Sequence, residues 1–178
     1  GLSIDSSTLI ASSTPAAKII DACQATDELS VEGWVRPPNT TQAGPARIAT
    51  LSEGPLARNV TLGQIGDDYD ARLRTTDTSD NGLPSLTAGT VRTAQPSHVV
   101  YTRDSSGVAR IYVNGVETGS RSDITGDFSG WDDGHRLGLA NEFDADRTWL
   151  GELYLIAIYD RALGAAEEGD AGAVDREG

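Results

Sequence analysis

The run Asn141-Glu142-Phe143-Asp144-Ala145-Asp146-Arg147 carries three carboxylates at alternate positions. In an extended strand Glu142, Asp144 and Asp146 would stand on one face, about 7 Å apart at each step. That spacing suits two chemistries: sharing a hard cation such as calcium, or acting as a carboxylate pair across a glycosidic bond. A third reading asks for less. Asp144-Ala145-Asp146 falls where the chain should turn between strands, and aspartate collects in turns because its side chain bonds the local backbone. The residues themselves leave all three open.

Other loops also offer hard oxygen ligands: Asp67-Asp68-Tyr69-Asp70, Asp77-Thr78-Ser79-Asp80-Asn81-Gly82, and Asp127 with Asp132-Asp133. None has the twelve-residue EF-hand pattern. A second group is amide, guanidinium and indole. Asn59, Gln64, Arg72, Arg74, Asn141, Glu142 and Trp149 are the types that hydrogen-bond sugar hydroxyls and stack on a sugar ring. Trp131, in a Gly- and Asp-rich loop, is the candidate exposed stacking residue. The competing reading pairs Arg72 and Arg74 with neighbouring acids, packs Trp34 and Trp149 in the core, and makes Trp131 a plug. His98 and His135 have no metal-ligand spacing, no serine or cysteine sits in a nucleophile elbow, and phosphate-loop and dinucleotide fingerprints are absent.

Strands must position these groups. Leu29–Arg36 alternates with period two, with Leu29, Val31, Gly33 and Val35 on one face and Glu32, Trp34 and Arg36 on the other, until Pro37-Pro38 ends it. Further strands are expected over 47–52, 59–64, 69–75, 98–103, 108–113, 136–142 and 149–159. The 59–75 hairpin turns at Gly66-Asp67-Asp68, with Val60, Leu62 and Leu73 inward and Asn59, Thr61, Arg72 and Arg74 outward. Asn114-Gly115 supplies the left-handed pair of a type I′ turn. Residues 77–95 read as a long loop or weak edge strand. A short helix with Pro15 in its first turn is expected over 14–23, a terminal turn or short helix over 160–168, and a frayed tail over 169–178.

The 178 residues fit one domain, 1–178 with its core over about 29–168, and such a domain buries about 70% of its unfolded surface. The 20 glycines and 7 prolines punctuate short apolar runs, the mark of an all-β sandwich with many turns. A net charge of −13 repels phosphate backbones and anionic lipid, and no basic patch offsets it, so no nucleic-acid partner is expected. Without a run of eighteen apolar residues, no membrane insertion is expected. Cys23 is the lone cysteine, so no intrachain disulfide forms and the thiol should be a small buried hydrophobe. Asn39-Thr40-Thr41 and Asn59-Val60-Thr61 match the glycosylation triplet, which matters only in a eukaryotic secretory host. The chain has no methionine, and we expect a processed protein or an excised domain.

Four segments in order carry a family resemblance. They are Leu29-Ser30-Val31-Glu32-Gly33-Trp34-Val35-Arg36-Pro37, Tyr101-Thr102-Arg103-Asp104-Ser105-Ser106-Gly107 with Ile111-Tyr112-Val113-Asn114-Gly115, Leu137-Gly138-Leu139-Ala140-Asn141-Glu142, and Trp149-Leu150-Gly151-Glu152-Leu153 with Ile158-Tyr159-Asp160-Arg161-Ala162-Leu163. Over about 29–168 the chain resembles the laminin-G-like family of concanavalin A-like jelly rolls. The resemblance implies an all-β, two-sheet antiparallel β-sandwich, one sheet concave and one convex. It implies no single function, since the fold carries lectins, carbohydrate-binding modules, adhesion domains, hydrolases and lyases. The expected function is a non-catalytic recognition module for carbohydrate or for a glycan-bearing or protein partner, with calcium as the expected cofactor at Glu142, Asp144 and Asp146. The expected ligand contacts are Asn59, Gln64, Arg72, Arg74, Trp131, Asn141, Glu142 and Trp149. A structural domain within a larger multidomain protein is the alternative. A glycan-cleaving enzyme using Glu142 with Asp144 or Asp146 is the third, although this chain lacks the tight acid motif of the family's hydrolases. An extracellular or periplasmic location accompanies all three.

Overall fold

Alternation puts Leu29, Val31 and Val35 on one side of a strand, and in the folded chain all three are buried within it. The fold is a computed structural model that describes residues 1–164. In chain order its elements are β1 (Leu2–Ile4), β2 (Ile10–Ala11), α1 (Ala17–Thr26), β3 (Leu29–Arg36), β4 (Gln42–Gly54), β5 (Ala57–Gly66), β6 (Asp68–Leu73), β7 (Leu86–Ala88), β8 (Ser97–Arg103), β9 (Ala109–Val113), β10 (Val116–Arg121), β11 (Arg136–Leu139) and β12 (Gly151–Tyr159). They form two six-stranded sheets, ordered β1-β12-β3-β8-β9-β10 and β2-β11-β4-β5-β6-β7. Val31, Val99 and Ile111 from the first sheet and Ile48, Leu51 and Leu62 from the second belong to one buried cluster, so the expected jelly-roll sandwich forms.

The hairpins follow the expected register. Val99 pairs with Val113 and Tyr101 with Ile111, and the connection to β10 turns at Asn114 (φ 53°) and Gly115 (φ 77°). The Asn114 side-chain oxygen accepts the His98 N–H at 2.9 Å, which fastens the turn to β8. Across β5 and β6, Thr61 faces Arg72 and Leu62 faces Ala71. Within 77–95 the edge strand is short, Leu86–Ala88.

Several boundaries differ from expectation. The helix runs Ala17–Thr26 instead of 14–23, and Pro15 precedes it. Its buried residues Ile20 and Cys23 lie three apart on the core side, and it stops at Asp27, whose left-handed backbone (φ 54°) returns its N–H to the Cys23 carbonyl. The expected strand at 47–52 extends over Gln42–Gly54 with bulges along β5. The expected strand over 136–142 stops at Leu139 because Ala140 is left-handed (φ 66°). The last strand starts at Gly151.

Residues ahead of Leu29 also join the sandwich. β1 pairs with β12 in the first sheet, and β2 pairs with β11 in the second. The outer face of β3 is covered too, since Ser30 and Glu32 are buried. The chain after β12 crosses there, with Ser30 Oγ donating to the Arg161 carbonyl and accepting from Leu163 N–H. Residues 160 and 161 form a bend and 162–164 have no regular structure, while the rest of the expected terminal element and the expected tail at 169–178 lie outside the described residues.

Candidate functional site

Two left-handed residues, Ala140 (φ 66°) and Ala145 (φ 63°), fold the acidic run into a turn instead of a strand. Asn141 is its hub. Its side-chain oxygen accepts the N–H of Glu142 at 2.9 Å and of Arg147 at 3.0 Å, and its amide donates to Ser7 Oγ and Thr148 Oγ1. Glu142 turns inward, where Arg47 Nε lies 2.9 Å away and Ser52 Oγ and the Phe143 N–H donate to it. Asp144 and Asp146 turn outward and are exposed. Partial desolvation and then the neighbouring Asp144 raise the Asp146 carboxyl above its usual range, against the pull of Arg147. The three carboxylates therefore do not share a face, and among the described residues no three His, Cys, Asp or Glu side chains gather around a common point. A three-carboxylate calcium site at Glu142, Asp144 and Asp146 does not fit this geometry.

The expected polar face also resolves into internal bonds. Thr50, Thr61 and Arg72 align across β4, β5 and β6, with the two threonine hydroxyls 2.8 Å apart. Arg72 Nε pairs with Asp70 at 3.0 Å and Nη1 donates to Asn81, while Arg74 bridges Asp80 at the rim. Arg58, not singled out in the sequence, is buried beside them, donating to Thr61 Oγ1 and the Pro55 carbonyl. Its Nε is unpaired, and burial pushes its guanidinium down to about 9.

Gln64 accepts from Trp149 Nε1 at 3.1 Å and Gln42 Nε2 at 2.9 Å, and donates to the Asn39 and Gly66 carbonyls. Asn59 exchanges both its polar groups with the Asp132 backbone and accepts from His135 Nδ1. Trp131 stacks on Phe128 at 4.6 Å and donates to the Arg74 carbonyl, and it is 5% exposed. Trp131 is thus the plug and not an open platform. Of the eight expected ligand residues, Asn59, Gln64, Trp131, Asn141, Glu142 and Trp149 are buried, and only Arg72 and Arg74 reach the surface in part.

Open space lies instead on either side of Leu150. One depression, about 410 Å³, is lined by Ser3, Asp5, Arg36, Pro37, Thr93 and Glu152 among others. The other, about 360 Å³, is lined by Asn39, Thr41, Gln42, Ala43, Asp146 and Thr148, and both share Leu150. The walls come from β1, the end of β3, the β3–β4 loop, Thr93 and the segment leading into β12, so no single stretch of sequence announces them. The one local signal was the break at Pro37-Pro38 followed by Asn39-Thr40-Thr41. A third cavity, about 320 Å³, lies between α1 and β12 against Ile19, Ala22, Cys23 and Ile158. There burial, helped by Asp160, pushes the Cys23 thiol up to about 12.

A family model for the concanavalin A-like lectin/glucanases superfamily matches residues 11–167. The chain belongs to the laminin-G-like branch of that superfamily. No curated protein sequence matches it. Among solved structures, this laminin-G-like domain is similar to the CBM40 domain of the Ruminococcus gnavus IT-sialidase, bound to α2,3 sialyllactose. The identity there is 14%, the TM-score 0.71, and 96% of this chain and 95% of that one are covered. It is also similar to a heptameric SAP-like pentraxin from Limulus polyphemus (16%, TM-score 0.60, 83% and 70%). Domain 4 of AbnA, an extracellular arabinanase from Geobacillus stearothermophilus, in complex with arabinotriose, is a third (19%, TM-score 0.58, 82% and 66%). At these identities the likeness is one of fold.

In this laminin-G-like domain the two buried glutamates, Glu142 and Glu32, are both committed to internal partners. Besides Glu142 with Arg47, Glu32 on the first sheet lies 2.8 Å from His98 Nε2 and accepts the Tyr159 hydroxyl at 2.6 Å. That bond, with burial, raises the Tyr159 phenol to about 12, and Trp34 stacks on His98 at 5.0 Å. Sequence alternation could not find Glu32, because nothing local says that the outer face of β3 is covered. A pair of acids that cleaves a glycosidic bond must flank it in an open cleft. Neither Glu142 nor Glu32 has solvent access.

Proposed function

We propose that this laminin-G-like domain is a non-catalytic carbohydrate-recognition module. The observation that carries the reading is the pair of open depressions beside Leu150, where hydroxyl, amide, guanidinium and carboxylate groups surround an apolar side chain. Sugars present alternating hydroxyls and apolar ring faces, and such a surface matches both. Support comes from the Ruminococcus gnavus and Geobacillus stearothermophilus domains, whose structures hold sialyllactose and arabinotriose. The commitment of Glu142 to Arg47 argues against the glycan-cleaving reading.

Calcium assistance belongs to the proposal only through Asp144 and Asp146, the exposed carboxylates of the turn. An extracellular or periplasmic setting, within a larger protein, suits such a module. A glycan array read with calcium and again with chelator tests the reading. Binding of at least one glycan class by the folded chain is expected, and a rise in melting temperature with added calcium marks a bound ion. Silence across the array in both conditions would leave a structural role within a larger protein.

A further inference from the structure

We infer that the cleft straddling Leu150 is a two-subsite groove for uncharged glycans. This rests on the carbohydrate reading above and adds the place, the number of sugar residues and the charge of the ligand. The two depressions, about 410 and 360 Å³, each lie within the roughly 300–1,000 Å³ range of small-ligand sites. They meet at Leu150, so a chain of two or more sugars crosses this side chain with an apolar ring face against it.

The ridge between the subsites is held rigidly. The Leu150 N–H donates to Gln42 Oε1 at 2.6 Å, and the Leu150 carbonyl accepts from Gln42 Nε2 at 2.9 Å. Gln42 is itself bonded to Gln64, which holds Trp149. A backbone clamped on both polar groups next to an anchored tryptophan does not have to be ordered when ligand arrives, which lowers the cost of binding. On the second side Thr148 is fixed by Asn141 and Ser7, and Thr41 is turned by the Asn39 side chain. On the first side Arg36 pairs with Glu152, whose other oxygen accepts the Tyr154 hydroxyl.

The sign of the charge selects the ligand. The lining holds one guanidinium, Arg36, against the carboxylates of Asp5, Asp146 and Glu152. Tyr154 and Arg36 hold the Glu152 carboxyl below its usual range, so at neutral pH it offers only acceptors, which fit sugar hydroxyls. Arg147, outside the lining, pairs with Asp146 without giving the cleft a positive surplus. With Glu152 offset by Arg36 and Asp146 by Arg147, a carboxylated or sulfated sugar would enter against Asp5 and against a chain of net charge −13, whereas a neutral sugar meets no such opposition.

The test pairs neutral oligosaccharides with their acidic counterparts, lactose against α2,3 sialyllactose and arabinotriose against a uronic-acid trimer, on the unaltered chain and on two variants. Thr93→Trp fills the first depression and Ala43→Trp the second, and both positions are exposed, so folding is checked simply by melting temperature. The expected result is that neutral members bind roughly tenfold or more tightly than acidic ones, with the gap narrowing in high salt. Each variant should lose about tenfold or more for a trisaccharide at unchanged melting temperature. Unchanged binding by both variants would overturn the placement while leaving carbohydrate recognition intact, and preference for the acidic members would overturn the charge selection. Binding of no sugar by the unaltered chain would remove the carbohydrate reading itself.

Discussion

Arg47 Nε and Glu142 Oε2 lie 2.9 Å apart with side chains 1% and 0% exposed, and they join β4 to the turn after β11. Ser52 and the Phe143 N–H occupy the other carboxylate oxygen, and the Pro45 carbonyl accepts from Arg47 Nη1 at 2.6 Å. Each charge is thus compensated only by the other and by groups that cannot leave.

Glu142→Ala should cost about 3–5 kcal/mol of stability, because it leaves a buried guanidinium without its counter-ion. Urea denaturation reads this directly. Replacing both partners by apolar residues, Arg47→Met with Glu142→Leu, should recover much of the loss. A cost below about 1 kcal/mol for Glu142→Ala would mean the pair is solvated and the acid available for chemistry.

Gly115→Ala should destabilise by about 1–2 kcal/mol from backbone strain alone, since the residue sits at φ 77° and a Cβ there meets nothing within 4 Å. Gly54 has equally open space and no left-handed backbone. The same substitution at Gly54 should be neutral or slightly stabilising, and the difference between the two midpoints in denaturant checks the turn type.

Trp131→Ala should lose about 3–5 kcal/mol by emptying the space stacked on Phe128, yet leave glycan affinity of the folded fraction unchanged. Isothermal titration well below the melting temperature separates the two effects. A large loss of affinity at full folding would return Trp131 to the ligand site.

His135 gives the domain a pH dependence of known sign. Burial, with Arg74 adding to it and Asp132 opposing, lowers its pKa from 6.5. As pH falls below about 6.5 the unfolded chain takes up a proton that the folded chain refuses, so stability declines on acidification; above 6.5 the histidine is neutral in both states and contributes no slope. The melting temperature of the unaltered chain between pH 5 and 7 should therefore fall more steeply than that of His135→Gln. Parallel curves would show that the imidazole is solvated.

The strand framework was legible because alternation and turn chemistry are local. Val99 to Val113 and the Asn114-Gly115 turn could be paired by inspection, and the lone Cys23 reads correctly as an inert core residue. The candidate site was less legible because burial of a polar strand face depends on what crosses it. Glu142 and Asp144 look alike in sequence, yet one left-handed alanine on each side of the turn sends the first inward and the second out. Arg72 and Arg74 could be read either on an open face or paired with neighbouring acids, and they pair: Arg72 with Asp70 two residues earlier on β6, Arg74 with Asp80 in the loop that follows, a choice that alternation alone does not make. The cleft at Leu150 draws its walls from distant segments, and no periodicity links Thr93 to Arg36.

The first eleven residues form an arm whose two short strands end up in different sheets, β1 against β12 and β2 against β11. Withdrawing it would bare a row of unpaired backbone groups on each sheet at once. A second copy of the same arm carries the complementary edges for both rows. Were the arms of two molecules exchanged, every strand would keep its original neighbours, so the same pairing that closes one domain could join two.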